Sequence, residues 1–437
     1  MMIWNPRREC MSRDEIETLQ WEILQKTIKN VYEHNAHYRA KMDAIGMEPG
    51  DIKCLADLQN MPFTVKDDLR ETYPYGMFAV PLKDVIRVHG SSGTTGKPII
   101  VGYTRHDLDV WSELLARIIT AAGVTNEDIV QMSFNYGLFT GGFGLHYGME
   151  KVGALVIPMS GGNTRKQLMM MQDMRSTVLI STPSYALHIA EVAEQMGIDM
   201  AKMPLRTALF GGEPWTDEMR KEIESRLHIL ATDNYGLTEV MGPGVSGECA
   251  LATGLHIAED HFIVETIDPE TGKVLPPGSK GELVFTSLTK EAFPIIRYRT
   301  KDISIIDQRP CACGRTNARM CKVIGRVDDM MVIRGVNVFP SQLEEVLLGF
   351  KELGPQYQLH VYREGYLDTL EVYVELVDTT LLTSYGALEN LTRRIKGTIK
   401  SVLGLQCDVK LAEPGRFERT AGKAKRVFDH RGDKVSF

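Results

Sequence analysis

The sequence predicts an α/β protein: a large N-terminal domain of parallel α/β sheet with a small β-rich subdomain, then a small α+β C-terminal domain. Three observations carry this. From about residue 85, short β-branched runs alternate with helical stretches, the pattern of parallel strands joined by crossover helices. Between Ile263 and Ile306 the pattern changes to closely spaced strands separated by Pro/Gly turns. After Gly325-Arg326 it restarts with strand, helix and an alternating strand. At 437 residues the chain is too long for one ordinary core. The expected domains are residues 1–325 and 326–437.

Taken in order, residues 12–45 read as one helix. Ser12 is the N-cap, Glu15 stands three residues on, and Leu19, Ile23, Ile28 and Val31 share a side. The β-branched run Val85 to Val88 and the apolar run Ile99 to Val101 flank a polar loop. Strands are expected at Asp128 to Met132, Ala154 to Pro158, Thr177 to Ser181 and Thr207 to Phe210, with helices such as Arg105 to Ala122 and Arg165 to Met174 between them. In the β-rich stretch, Val264 to Asp268, Glu282 to Thr286 and Ile303 to Asp307 read as antiparallel strands, and Ile295 to Arg299 is strand-like. In the last domain, Ser341 is the expected N-cap of a helix with Glu344 three residues on, and Thr369 to Val377 alternates as a strand.

The bulk numbers exclude some functions. An apolar fraction of 43% and a charged fraction of 24% are those of an ordinary globular protein. A net charge of −7 leaves no broad basic surface, which argues against nucleic-acid binding. No stretch approaches the roughly 18 apolar residues needed to cross a bilayer, and Met1 through Lys41 lacks an apolar core of signal-peptide length. Seven cysteines, an odd number, point to a reducing compartment rather than a disulfide framework. A cytoplasmic location is expected.

The polar loop carries most of the functional information. Ser91-Ser92-Gly93-Thr94-Thr95-Gly96-Lys97-Pro98 packs hydroxyls, glycines and a lysine between two apolar runs. Glycines let backbone approach a ligand, hydroxyls and amides donate to anionic oxygens, and a lysine acts as a point charge on a polyphosphate. It is not a Walker A loop, because five residues rather than four separate Gly90 from Gly96 and Pro98 follows the lysine.

This loop resembles the phosphate loop of the adenylate-forming superfamily of acyl-CoA synthetases, adenylation domains and luciferases. Further segments agree in order: Asp233-Asn234-Tyr235-Gly236-Leu237-Thr238-Glu239, Tyr298-Arg299-Thr300-Lys301-Asp302, Gly325-Arg326-Val327-Asp328-Asp329 and Gly422-Lys423. The resemblance spans residues 91 to 423. A carboxylate after a glycine turn suits magnesium, which takes oxygen ligands and bridges to phosphates, and the resemblance gives Glu239 that job. It also implies that Tyr235 stacks on adenine, with Asp233 and the turn Gly211-Gly212-Glu213-Pro214 facing the same base and Gly236 and Thr238 beside them. One carboxylate can accept both ribose hydroxyls, and the resemblance gives that role to Asp302, although Lys301 replaces a glycine common in relatives. By the same resemblance Arg326 reads the nucleotide, Asp328 is the hinge for rotation of a mobile C-terminal domain, Gly335 borders the pantetheine path, and Lys423 rather than Lys425 stabilises charge developing on carboxylate and α-phosphate.

Within the superfamily, the sequence is similar to the phenylacetate-CoA ligase branch. Gly335-Val336-Asn337-Val338-Phe339-Pro340-Ser341-Gln342 carries that likeness. The glycine-aromatic run Phe134 to His146 suits a flat apolar acid, with Tyr136, Phe139 and Phe143 as candidate substrate contacts. Cys249, His256, Cys311 and Cys313 would complete a tetrahedral zinc shell. Their spacing is tighter than in common zinc fingers, and inert thiols are the competing reading; the branch carries a similar Cys-His plus Cys-x-Cys set. The implied chemistry is ligation of an aryl or arylacetic acid to coenzyme A with ATP, Mg2+ and structural Zn2+, in a homodimer. Two alternatives stay open: an adenylyltransferase that makes no thioester, and a non-catalytic zinc-containing binding module.

Overall fold

The structure, a computed structural model, describes residues 2–91, 98–333, 336–364, 367–419 and 424–431. Its centre is a 12-stranded sheet. Leu155–Ile157, Ile129–Met132, Val178–Ser181, Thr207–Phe210 and Leu230–Leu237 form a parallel wing. The apolar runs of the inner strands Val178–Ser181 and Thr207–Phe210 are buried on both faces, which is why they read as continuous rather than alternating. The edge strand Leu155–Ile157, by contrast, leaves Leu155 exposed. Val178 and Ile180 face the core that includes Leu115 and Met149, whereas Leu179 faces a second core with Leu187 and Ile223.

The pairing turns antiparallel at Gly242–Glu248 and continues through Leu255–Ile257, Arg319–Met320, Tyr298–Asp307, Lys280–Ser287 and Phe262–Ile267. The β-rich stretch is therefore the antiparallel wing of the same sheet. Arg87–Gly90 pairs antiparallel with Ile100–Tyr103 as a separate two-stranded sheet. C-terminal to the large sheet, Asp408–Ala412, Leu367–Leu376, Leu353–Glu364 and Val427–Asp429 make a four-stranded sheet. Its core, with Leu359, Val361, Val372, Val374, Ile395 and Ile399, also takes in the helices Pro340–Leu348 and Tyr385–Leu403.

Three local expectations are corrected. The helix expected over 12–45 is two, Arg13–His34 and Ala36–Asp43. Ser12 and Glu15 form the capping box as expected, but Asn35 adopts extended backbone and its side chain accepts from Tyr38 N–H, so it caps a new helix. Asp302 does not follow a strand but lies inside Tyr298–Asp307. Ser341 is not an N-cap: Phe339 holds that position, Gln342 closes back on Phe339 N–H, and Ser341 Oγ donates to Ile324 O at 2.6 Å.

Candidate functional site

The parallel strands end together, and the candidate site forms beyond their carboxyl ends, where open α/β sheets bind ligands. Gly211-Gly212-Glu213 follows Thr207–Phe210 directly, and Asp233 pairs with Phe210 on the neighbouring strand. Gly212 adopts φ +85°, so a side chain there would be strained; at Gly236 a Cβ would lie 1.8 Å from Gly242 O. A cavity of about 160 Å³ is lined by Gly212, Glu213, Asp233, Tyr235, Asp302 and Arg326.

A hydrogen-bond chain crosses this cavity. Tyr235 Oη donates to Asp302 Oδ2 at 2.6 Å, and Arg326 Nη1 donates to Asp302 Oδ1 at 2.8 Å. Arg326 also reaches Asp328 through Nε at 2.9 Å and Nη2 at 3.0 Å. Four predicted positions, separated by as much as ninety-three residues, are thus in direct contact. Burial, then the Asp302 charge, pushes the Tyr235 phenol well above its ordinary value, so it stays a donor. The Tyr235 ring lies 6.1 Å from Phe285, nearly parallel to it.

Asp233 is pushed up to about 7, first by burial and then by the charge of Glu248. Near neutral pH it can therefore both donate and accept. Glu248 was not read from the sequence. It accepts from Asp233 N–H at 2.8 Å and from Arg220 Nη2 at 2.7 Å, fixing the strand that carries Asp233.

Glu239 is buried in the turn after Leu230–Leu237. Thr238 Oγ1 lies 3.4 Å from Thr140 Oγ1. A second unforeseen residue, Lys290, is buried beside this turn, and its Nζ donates to Val240 O at 3.2 Å. Burial pushes its amine down to about 8, opposed by Asp107 and Glu239. Nothing marks it in the sequence, where Lys290 stands between Thr289 and Glu291.

Tyr136 and Phe143 meet edge to face at 5.4 Å, and Tyr136 Oη lies 3.0 Å from His146 Nδ1. Phe143 also packs on His89 and under the Arg87 guanidinium. Phe139 is set apart: it is the exposed N-cap of Thr140–Val152. Phe134 instead lies against Gly212, 3.1 Å from where a Cβ would stand.

Of the phosphate loop, Ser91 closes the base: its N–H donates to Ile99 O at 3.0 Å and its Oγ accepts from Ile99 N–H at 3.1 Å. Ser92, Gly93, Thr94, Thr95, Gly96 and Lys97 lie outside the described residues, as do Gly335 and Lys423. Ala424, next to Lys423, donates its N–H to Glu213 Oε2 at 3.0 Å. The end of the C-terminal segment thus touches the turn that lines the cavity.

The candidate metal ligands also converge. Cys249, His256, Cys311 and Cys313 are all buried, with one donor atom from each within 4.8 Å of the others. Cys249 Sγ and Cys311 Sγ are 4.0 Å apart, and Cys313 Sγ is 3.5 Å from His256 Nε2. Donors around one tetrahedral zinc stand roughly 3.6–3.8 Å apart, so this set fits the ion. Burial pushes His256 down to about 3, which keeps the imidazole neutral and able to ligate.

Comparison with known proteins agrees with this geometry. The "AMP-binding enzyme" family matches residues 50–289, and "AMP-binding enzyme C-terminal domain" matches 335–431. Phenylacetate-coenzyme A ligase of Aromatoleum evansii is 50% identical over 97% of this chain and 96% of its own. Its namesake in Escherichia coli strain K12 is 49% identical over 97% of both. A crystal structure of 2-hydroxyisobutyryl-CoA ligase in the postadenylation state, with 2-HIB-AMP, is 29% identical and superposes with a TM-score of 0.92, covering 97% of this chain and 91% of that one. The same ligase in its thioesterification state gives 0.72 at 29% identity, covering 98% and 92%. This chain therefore superposes more closely on the postadenylation structure than on the thioesterification structure. The chain belongs to the adenylate-forming AMP-binding enzymes, in the family of the phenylacetate-coenzyme A ligases.

Proposed function

We propose that the protein joins phenylacetate to coenzyme A at the expense of ATP, in two steps at one site. The carboxylate oxygen attacks the α-phosphorus and pyrophosphate leaves; the coenzyme A thiolate then attacks the acyl carbon of the adenylate and AMP leaves. The observation that carries this reading is the Tyr235–Asp302–Arg326 chain across a cavity beyond the parallel strands, in a chain about half identical to phenylacetate-coenzyme A ligases over nearly its full length. The relatives do not favour the adenylyltransferase or the non-catalytic module.

In this reading Asp302 accepts from the ribose, Tyr235 and Asp233 border the adenine, and Glu239 holds Mg2+, which would neutralise phosphate charge. Tyr136 and Phe143 line the aryl pocket. Zinc, held by Cys249, His256, Cys311 and Cys313, ties two remote turns together. The division into residues 1–325 and 326–437, a homodimer and a cytoplasmic location complete the proposal; among the described residues no helix is long and apolar enough to cross a membrane. The test is a panel of aryl, arylacetic and short aliphatic acids scored for AMP release with and without coenzyme A. Phenylacetate with coenzyme A should give the highest kcat/KM, and turnover independent of coenzyme A would overturn the reading.

Asp328→Pro should separate the two steps. Proline fixes φ near −65° and would hold the C-terminal domain before it rotates. Adenylate should form while thioester formation fails. Asp328→Ala serves as control, because it removes the same carboxylate from Arg326 but leaves the backbone free. Normal rates of both steps in the proline variant would show that the hinge lies elsewhere.

A further inference from the structure

Arg419 binds carboxylates from both parts of the molecule. Its Nη1 and Nη2 donate to Glu375 at 2.9 and 2.8 Å, and its Nε and Nη2 donate to Glu191 at 3.1 and 3.4 Å. Glu375 lies on Leu367–Leu376, in the same small sheet as the C-terminal strands, and also accepts from Gly415 and Phe417 N–H at 3.1 and 2.7 Å. Glu191 belongs to the helix Pro183–Gln195 of the large α/β part, with His188 Nδ1 3.6 Å away. The Glu191 and Arg419 side chains are 18% and 17% exposed, sheltered enough for a charge-assisted pair to count.

The stretch from 420 to 423, which carries Lys423, lies between this contact and the Ala424 N–H···Glu213 bond. The described residues on either side of it are both bound to the large part. The two halves of the Arg419 contact differ in kind. Glu375 would travel with Arg419 in any rotation of the C-terminal domain, whereas Glu191 would stay behind. Only the Glu191 half could bias the equilibrium between arrangements, because a rotation would break that half and keep the other.

We infer that Glu191 is a positioning residue for the adenylation step: paired with Arg419, it latches the C-terminal domain to the large domain four residues before Lys423 and lets go when the domain rotates for thioester formation. The inference rests on the two-step function proposed above. It names a residue outside the nucleotide cavity, on a helix whose sequence carries no motif, and it makes the latch a property of one arrangement rather than of overall stability.

The test is Glu191→Gln, which keeps the shape and removes the charge, with Glu191→Asp as the conservative variant. Three readouts are compared with wild type: phenylacetate-dependent ATP–pyrophosphate exchange, thioester formation from supplied phenylacetyl adenylate, and Tm. Exchange should fall about tenfold in Glu191→Gln, roughly what one charge-assisted pair contributes to an equilibrium. Thioester formation should be unchanged or faster, Tm unchanged, and Glu191→Asp should recover part of the exchange. Equal loss of both half-reactions, or no loss of exchange, would overturn the latch alone. Absence of exchange in wild type would overturn the latch together with the function on which it rests.

Discussion

Lys423→Ala is expected to lower adenylate formation by about 10²–10³-fold, the cost of removing one donor aimed at developing charge, while thioester formation from supplied phenylacetyl adenylate continues. A cation placed where negative charge grows on the attacking carboxylate and the α-phosphate helps the step in which that charge develops and no other. The neighbouring Lys425 is already engaged, its Nζ 4.6 Å from the Phe428 ring centroid. Ala424, between them, is held by Glu213 at the rim of the nucleotide cavity. Lys425→Ala should therefore leave adenylation within about threefold of wild type, the size of a typical surface substitution. Equal loss of both half-reactions in Lys423→Ala, or loss of adenylation in Lys425→Ala instead, would move the catalytic role elsewhere.

Cys311→Ser should remove the metal and with it several kcal/mol of stability. Purified wild type is expected to carry about one zinc per chain. Serine nearly preserves volume, so the loss of a small buried thiol contributes little by itself; the larger effect comes from leaving three donors without a closed shell. Cys311 and Cys313 sit on the turn before Arg319–Met320, while Cys249 follows Gly242–Glu248 and His256 lies in Leu255–Ile257. The strand pairing Arg319↔His256 already brings these segments side by side, and the ion would fasten their ends. A fall in Tm of at least about 5 °C, in step with metal content, is the expected outcome. Metal-free wild type, or a variant that loses no zinc and melts at the same temperature, would show these to be packing thiols.

How much of this was legible in the sequence depended on how locally each feature is encoded. The parallel wing was, because a strand buried on both faces carries a nearly continuous apolar run, as in Val178–Ile180 of Val178–Ser181 and Ala208–Phe210 of Thr207–Phe210. The break at Asn35 was not, because the apolar spacing runs through it and only the side-chain bond to Tyr38 N–H tips the backbone out of the helix. Asp302 was expected to follow the strand-like Ile295 to Arg299, but the strand runs from Tyr298 to Asp307 and includes it. Its polar Arg299 and Thr300 are held by Glu282 and by the carbonyls of Pro269 and Leu283. Tyr235, Asp302 and Arg326 stand in short motifs and could be named singly; their mutual contact is a property of the fold. Lys290, Glu248 and the Glu191–Arg419 pair carry no motif, and each takes its meaning from a partner that is distant in the chain or from burial alone.

The central claim is that one site makes an adenylate first and a thioester second. Its most direct test is ATP–pyrophosphate exchange with purified protein, Mg2+ and phenylacetate in the absence of coenzyme A, followed by addition of coenzyme A and detection of phenylacetyl-CoA and AMP in equal amounts. The account predicts exchange that depends on phenylacetate before coenzyme A is added, and stoichiometric thioester and AMP afterwards. Exchange that appears only with coenzyme A, or AMP released without thioester, would contradict it.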